Sequence, residues 1–242
     1  MKLQKHTARN QLHPALIIAP HLDDAAFSLG SALLAGSLGA MPRILVVFSR
    51  SNYAIETPGT GDVEVVTQVR KKEEEAAAGQ MQAVVEFLDF GEPLVRGACR
   101  EFHEIFNKDF DPVTDPVFEP VRNKVVNIID ELQPTLAVFP LAIGNHLDHI
   151  MLNRIGLSLL AAGGTRVMFF EDQPYAGLLD EEDIVRIGNK LNRNLKPYPI
   201  PGVELERKLL LLEIYKSQLN AIDFELVRRY HAVRGLEHMW GM

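Results

Sequence analysis

Short apolar runs of strand length alternate along this chain with longer segments whose apolar residues return at helical spacing. Residues 15–19, 43–48, 135–139 and 166–170 are the runs. They are continuous rather than alternating, the pattern of strands buried on both faces by covering helices. Helical segments are predicted over residues 25–38, 63–90, 117–132, 150–162, 180–195 and 203–220. The segment 63–90 reads as one long helix, with Met81, Val84, Val85 and Leu88 recurring on one side. Residues 49–62, rich in Ser, Asn, Pro and Gly, read as a loop at the carboxyl edge of the strands, and 196–202 as a Pro-rich loop. Residues 91–116 carry no clear period; they either fold around a pocket or hold a short third strand. The C-terminal stretch with Tyr230, His231, His238 and Trp240 reads as a closing helix. Strand, helix, strand in this order predicts an α/β fold with a mostly parallel sheet flanked by helices.

Polar residues cluster where such a sheet places its ligands, just beyond the carboxyl ends of strands. The run 15–19 leads into Pro20-His21-Leu22-Asp23-Asp24, and the run 135–139 into Asn145-His146-Leu147-Asp148-His149. A third polar group, Glu171-Asp172-Gln173-Pro174-Tyr175, follows the run 166–170. Neutral imidazole and carboxylate together bind a divalent metal and leave a position for water, so His21, Asp24 and His149 make a candidate metal set. Zinc is expected; another divalent transition metal, iron or manganese among them, suits the same set. Asp23 is placed to accept a proton from water, and His146 to face a developing oxyanion. The bland alternative is that the acidic pair caps the following helix and the two histidines sit at the rim of the core.

Composition bounds the rest. With 242 residues, 47% apolar, the chain is long enough for one substantial core, and one domain over 1–242 is the expectation. A formal charge of -7 and the lack of a basic stripe interleaved with aromatics argue against nucleic acid as a partner. The single cysteine, Cys99, excludes an intrachain disulfide and a thiolate metal cluster. It reads as structural, since nothing local supplies a basic partner, and His103 reads as a surface residue. No signal-length apolar core lies in residues 1–13 and no run reaches membrane-span length, so a cytoplasmic protein without membrane insertion is expected. Arg70 pairs by spacing with Glu74 as an exposed helix ion pair. Apolar content and C-terminal aromatics are compatible with a homo-oligomer, although an ordinary core accounts for the same residues.

Ala19-Pro20-His21-Leu22-Asp23-Asp24 and His146-Leu147-Asp148-His149 resemble the two signatures of the zinc-dependent N-acetylglucosaminyl-phosphatidylinositol deacetylases, also called LmbE-like deacetylases. That resemblance implies a Rossmann-like domain and hydrolysis of the N-acetyl amide of an aminosugar, glycoside or related small metabolite. It implies His21, Asp24 and His149 as zinc ligands, Asp23 as general base and His146 as the group stabilising the tetrahedral intermediate. Arg70 matches a substrate-contacting arginine in some members. Two positions depart from the pattern: Leu22 stands where proline is common, and Ala25 where an acidic residue is common. These departures motivate two alternatives, a noncatalytic metal-containing carbohydrate-binding protein and a metal hydrolase for another amide or ester.

Overall fold

The computed structural model describes residues 14–242, so the N-terminal reading of 1–13 lies outside the described residues. Five parallel strands form its centre: β1 (Ala15–Ala19), β2 (Arg43–Val46), β3 (Val84–Phe87), β4 (Leu136–Pro140) and β5 (Val167–Phe170). Beyond β5 lie β6 (Lys196–Ile200) and β7 (Glu237–Gly241), giving the order β3-β2-β1-β4-β5-β7-β6. β7 is antiparallel to both of its neighbours, which makes the sheet mixed but mostly parallel. Alternation along β1 sends Ile17 into one apolar layer and Leu16 and Ile18 into the other. Helices α1 (Asp24–Leu34), α2 (Val63–Gln80) and α6 (Leu205–Leu212) cover the first face; α3 (Phe118–Leu132), α4 (Leu147–Ala162) and α5 (Glu181–Leu191) cover the second. α7 (Ala221–Arg234) closes the structure near β7. Gly156 allows α4 to lie on the sheet, because a Cβ there would meet Phe139 at 2.7 Å and Phe169 at 2.8 Å. No helix among the described residues is long and apolar enough to cross a membrane.

Several predicted boundaries are corrected. The expected helix over 63–90 ends at Gln80, and the third strand is Val84–Phe87 rather than a part of 91–116. Gln82 takes a left-handed φ of 52°, and the N–H of Ala83 returns to the carbonyl of Ala78, a helix stop that the apolar period conceals. The β-branched pair Val84 and Val85 then pairs with β2. The expected loop at 196–202 contains edge strand β6, which tolerates Pro197 and Pro199 because it pairs on one side only, with β7. The helix expected over 203–220 is regular only over Leu205–Leu212, and the first helix ends at Leu34 rather than 38. The closing helix stops at Arg234; His238 and Trp240 lie on strand β7. Residues 91–116 hold two short 3₁₀ turns and no strand.

Candidate metal centre

The sheet reverses its order of growth at β1, with β2 on one side and β4 on the other, and the polar clusters meet above this switch point. Leaving β1, the chain turns at Pro20 and brings His21 over the carboxyl edge, with Asp24 opening α1. The backbone N–H of His21 donates to Asp24 Oδ2 at 2.8 Å, which fixes that carboxylate beside the imidazole. On the β4 side the loop before α4 bends through left-handed residues Ala142, Gly144 and Asn145, and His146 caps the helix that carries His149. Gly144 is needed there twice over: its φ is 93°, and a Cβ would meet Tyr175 at 2.6 Å.

Each histidine next to Asp24 is held by a carboxylate on its other nitrogen. His21 Nε2 lies 2.9 Å from Asp148 Oδ2, and His149 Nδ1 lies 2.7 Å from Asp172 Oδ1. These bonds put the ring protons on the outer nitrogens and leave the inner lone pairs facing Asp24. Asp24 Oδ2 stands 3.2 Å from His21 Nδ1 and 3.4 Å from His149 Nε2, and the latter is a buried nitrogen with no hydrogen-bond partner. Three acceptors facing one another require a positive charge between them. The same demand shows in the imidazoles: burial opposes charge, yet Asp148 and Asp24 raise His21 to about 10, and Asp24 and Asp172 raise His149 to about 9. Asp24 is held well below the usual carboxylate range, the two histidines outweighing its burial. Donor atoms ~2.0–2.2 Å from a tetrahedral ion sit roughly 3.3 Å apart, so this spacing and donor chemistry suit a divalent metal such as zinc.

His146 completes a three-histidine cluster whose ring nitrogens lie within 4.8 Å of one another. Its own bonding differs, however. His146 Nδ1 accepts the backbone N–H of Asp148 at 3.2 Å, so in the neutral ring the proton sits on Nε2. Burial, followed by the charge of His21, keeps this ring neutral by lowering its pKa well below the ordinary histidine value.

Asp23 lines the cleft beside this centre, and burial, then the negative charge of Asp24, raise it to about 7 against the pull of Arg70 and His21. Arg70 overturns its expected exposure. It is 3% exposed, and its Nη1 donates to Glu92 Oε1 at 2.7 Å and to Ser51 Oγ at 2.5 Å, while Nη2 lies 3.8 Å from Asp23 Oδ2. Glu74, its expected partner, is fully buried and accepts instead from the Tyr215 hydroxyl at 2.7 Å. His103 is exposed as expected; Cys99 is partly buried, and its thiol is pushed up by burial and then by Glu104, away from nucleophilic use. The departures at Leu22 and Ala25 are both fully buried, and the Leu22 carbonyl accepts from Gln218 Nε2 at 3.0 Å.

Three supporting residues lay beyond sequence reasoning. Asp148 sits inside a motif already in view, and Asp172 follows β5 at the same edge, a position that could have marked it. Arg96, whose Nη1 meets Asp148 Oδ1 at 2.7 Å, comes from the unpatterned stretch 91–116 and left no signal.

Residues 16–160 match the family model described as GlcNAc-PI de-N-acetylase (PIG-L). The chain belongs to the GlcNAc-PI de-N-acetylase family. A curated member from Streptomyces fradiae, 2'-N-acetylparomamine deacetylase, is 31% identical over 232 residues, covering 93% of this chain and 80% of the relative. Among solved structures, a deacetylase of the teicoplanin biosynthesis pathway, in its bog complex, superposes with a TM-score of 0.70 at 24% identity, covering 93% of this chain and 96% of that one. N,N'-diacetylchitobiose deacetylase from Pyrococcus horikoshii superposes with a TM-score of 0.57 at 16% identity, covering 94% and 81% of the two chains. Membership in the de-N-acetylase family makes this chain a metal-dependent amide hydrolase, and the three-histidine cluster is where it holds the metal.

Proposed function

We propose that this chain removes the acetyl group from an N-acetylated aminosugar, glycoside or related small metabolite, with zinc held by His21, Asp24 and His149. The supporting observation is the convergence of His21 Nδ1, His149 Nε2 and Asp24 Oδ2 beside a separate carboxylate, Asp23, that faces the cleft. His146 stands apart from the ligand set in this reading, since its outward nitrogen is a donor. A divalent ion bound in this set polarises an amide carbonyl and lowers the pKa of water. Asp23 takes the proton from the attacking water and returns it to the departing amine, with Arg70 holding its carboxylate in place. The His146 Nε2–H hydrogen-bonds the carbonyl oxygen as negative charge develops on it. The relatives named as acting on N-acetylparomamine and diacetylchitobiose support an aminosugar as the acyl carrier. The single cysteine and the lack of a long apolar run support a cytoplasmic setting.

Zinc-reconstituted protein incubated with a panel of N-acetylated sugars and glycosides is expected to release acetate stoichiometric with free amine. Absence of acetate release across the panel, from protein with its metal bound, rejects the substrate class. Protein that retains no zinc after careful preparation rejects the ligand set.

A further inference from the structure

The cleft in front of the metal centre, about 240 Å³, is not uniformly polar. An unbroken series of aromatic rings runs along one wall away from the site. The Phe106 ring meets the His146 ring edge-on at 5.6 Å, Phe102 lies 6.3 Å from Phe106, and Tyr53 stacks on Phe102 at 5.3 Å with the planes inclined by 17°. Phe102 and Phe106 are each 39% exposed, although a folded chain gains by burying such rings. They are also firmly placed. Phe106 forms a backbone bridge with His146, the N–H of Asn107 donates to the Asn145 carbonyl at 3.0 Å, and Ile105 between the two rings is buried.

We propose that Tyr53 and Phe102 form a platform for a second ring of the substrate, so that the chain acts on an aminosugar joined to another saturated, polyhydroxylated ring in preference to a free monosaccharide. This rests on the deacetylase reading above. With the amide at the metal centre, the sugar ring bearing it falls beside Phe106, the first aromatic neighbour of His146. The linkage leading away from that sugar arrives at Phe102 and Tyr53, one ring further out. The Tyr53–Phe102 pair presents aromatic surface to the C–H face of such a ring, and apolar ring contact of this kind is what pocket aromatics supply. Asp223 lines the same end of the cleft and gives the platform a polar edge for hydroxyl or ammonium groups. The wall therefore selects for length as well as for the acetylated amine.

The test compares N-acetylglucosamine with N,N'-diacetylchitobiose as one-ring and two-ring probes, using the zinc-loaded wild type, Phe102→Ala, Phe102→Tyr and Tyr53→Ala. Acetate-release kinetics give kcat and KM, and saturation-transfer NMR gives binding without requiring turnover. The expected result is that Phe102→Ala and Tyr53→Ala raise KM for the two-ring probe about tenfold, the scale of one lost ring contact, with kcat nearly unchanged. The one-ring probe is unaffected, and Phe102→Tyr retains wild-type behaviour. Equal losses on both probes, or no loss on either, overturn the platform. If turnover fails on both probes while NMR shows two-ring binding that Phe102→Ala weakens, the platform stands and the deacetylase reading falls. If the two-ring probe binds wild type no more tightly than the one-ring probe, the platform is wrong whatever the chemistry.

Discussion

At the scale of single residues, the two aspartates next to each other on the chain have opposite environments and therefore separate tasks. Asp24 faces two imidazoles and stays ionised, whereas Asp23 faces the cleft and titrates near neutrality, at about 7. Replacing His149 by Ala is expected to remove zinc and turnover together, while Asp23→Asn keeps most of the zinc and loses turnover. Metal analysis paired with acetate-release kinetics on folded variants checks this. An Asp23→Asn protein empty of metal, beside a His149→Ala protein with full occupancy, would show the assignment to be reversed. His146→Ala should slow turnover roughly 10²–10³-fold, the scale of one lost oxyanion donor, with smaller change in occupancy. Arg70 supplies a pH test. Its charge lowers the pKa of Asp23, and a general base works only when deprotonated, so activity rises with pH through that pKa. Arg70→Met should move the acid limb of the kcat/KM profile to higher pH; an unmoved limb disconnects Arg70 from Asp23. The six residues proposed for the site were legible in the sequence because they follow apolar runs in two short motifs. The partners of the histidines were not, since Asp148 and Asp172 look like any acidic residue until the fold sets them 2.9 and 2.7 Å from the rings.

At the scale of elements, α2 shows both what periodicity reveals and what it conceals. Its apolar spacing runs without interruption into β3, because Val84 and Val85 satisfy a helical period as well as a strand's; only the left-handed turn at Gln82 separates the two. The same helix turns its acidic run inward. Glu73 accepts from Ser217 and Gln218, and Glu74 from Tyr215, so α2 is clamped to the segment between α6 and α7. Glu74 is fully buried, and burial raises its pKa from 4.5 to about 8, opposed by the Tyr215 hydrogen bond. A carboxyl raised in the folded state keeps a proton that the unfolded chain has released, so its contribution to stability is full below 4.5 and lost as pH rises through about 8. Glu74→Gln keeps an acceptor for Tyr215 and cannot ionise. Calorimetry across that window should show the wild-type melting temperature falling more steeply with pH than that of the variant. Parallel slopes would mean that Glu74 is charged in the folded protein. Residues 91–116 were opaque for a different reason: their order comes from contacts such as Arg96 with Asp115 and Asp148, which carry no period at all.

At the scale of the whole molecule, the parallel half of the sheet was readable from continuous apolar runs, and the antiparallel end was not. Two prolines disguise β6, and β7 follows directly on a helix. Seven strands therefore arise from four recognisable runs and three hidden ones. β7 also sits out of turn, after β6 in the chain but between β5 and β6 in space. Its Trp240 is fully buried and donates through Nε1 to Glu171, a carboxylate also held by Arg234 and Tyr230. This placement dictates an order of assembly. β6 can dock only onto a neighbour supplied by a later stretch of chain, so its backbone amides wait, unprotected, until β7 has closed against β5. In hydrogen exchange followed by mass spectrometry, β6 and β7 should gain protection together during refolding, after β1 and β4, and early protection of β6 alone would contradict it. The edge of the sheet farthest from β3 is thus the last to become permanent, a keystone laid from the side.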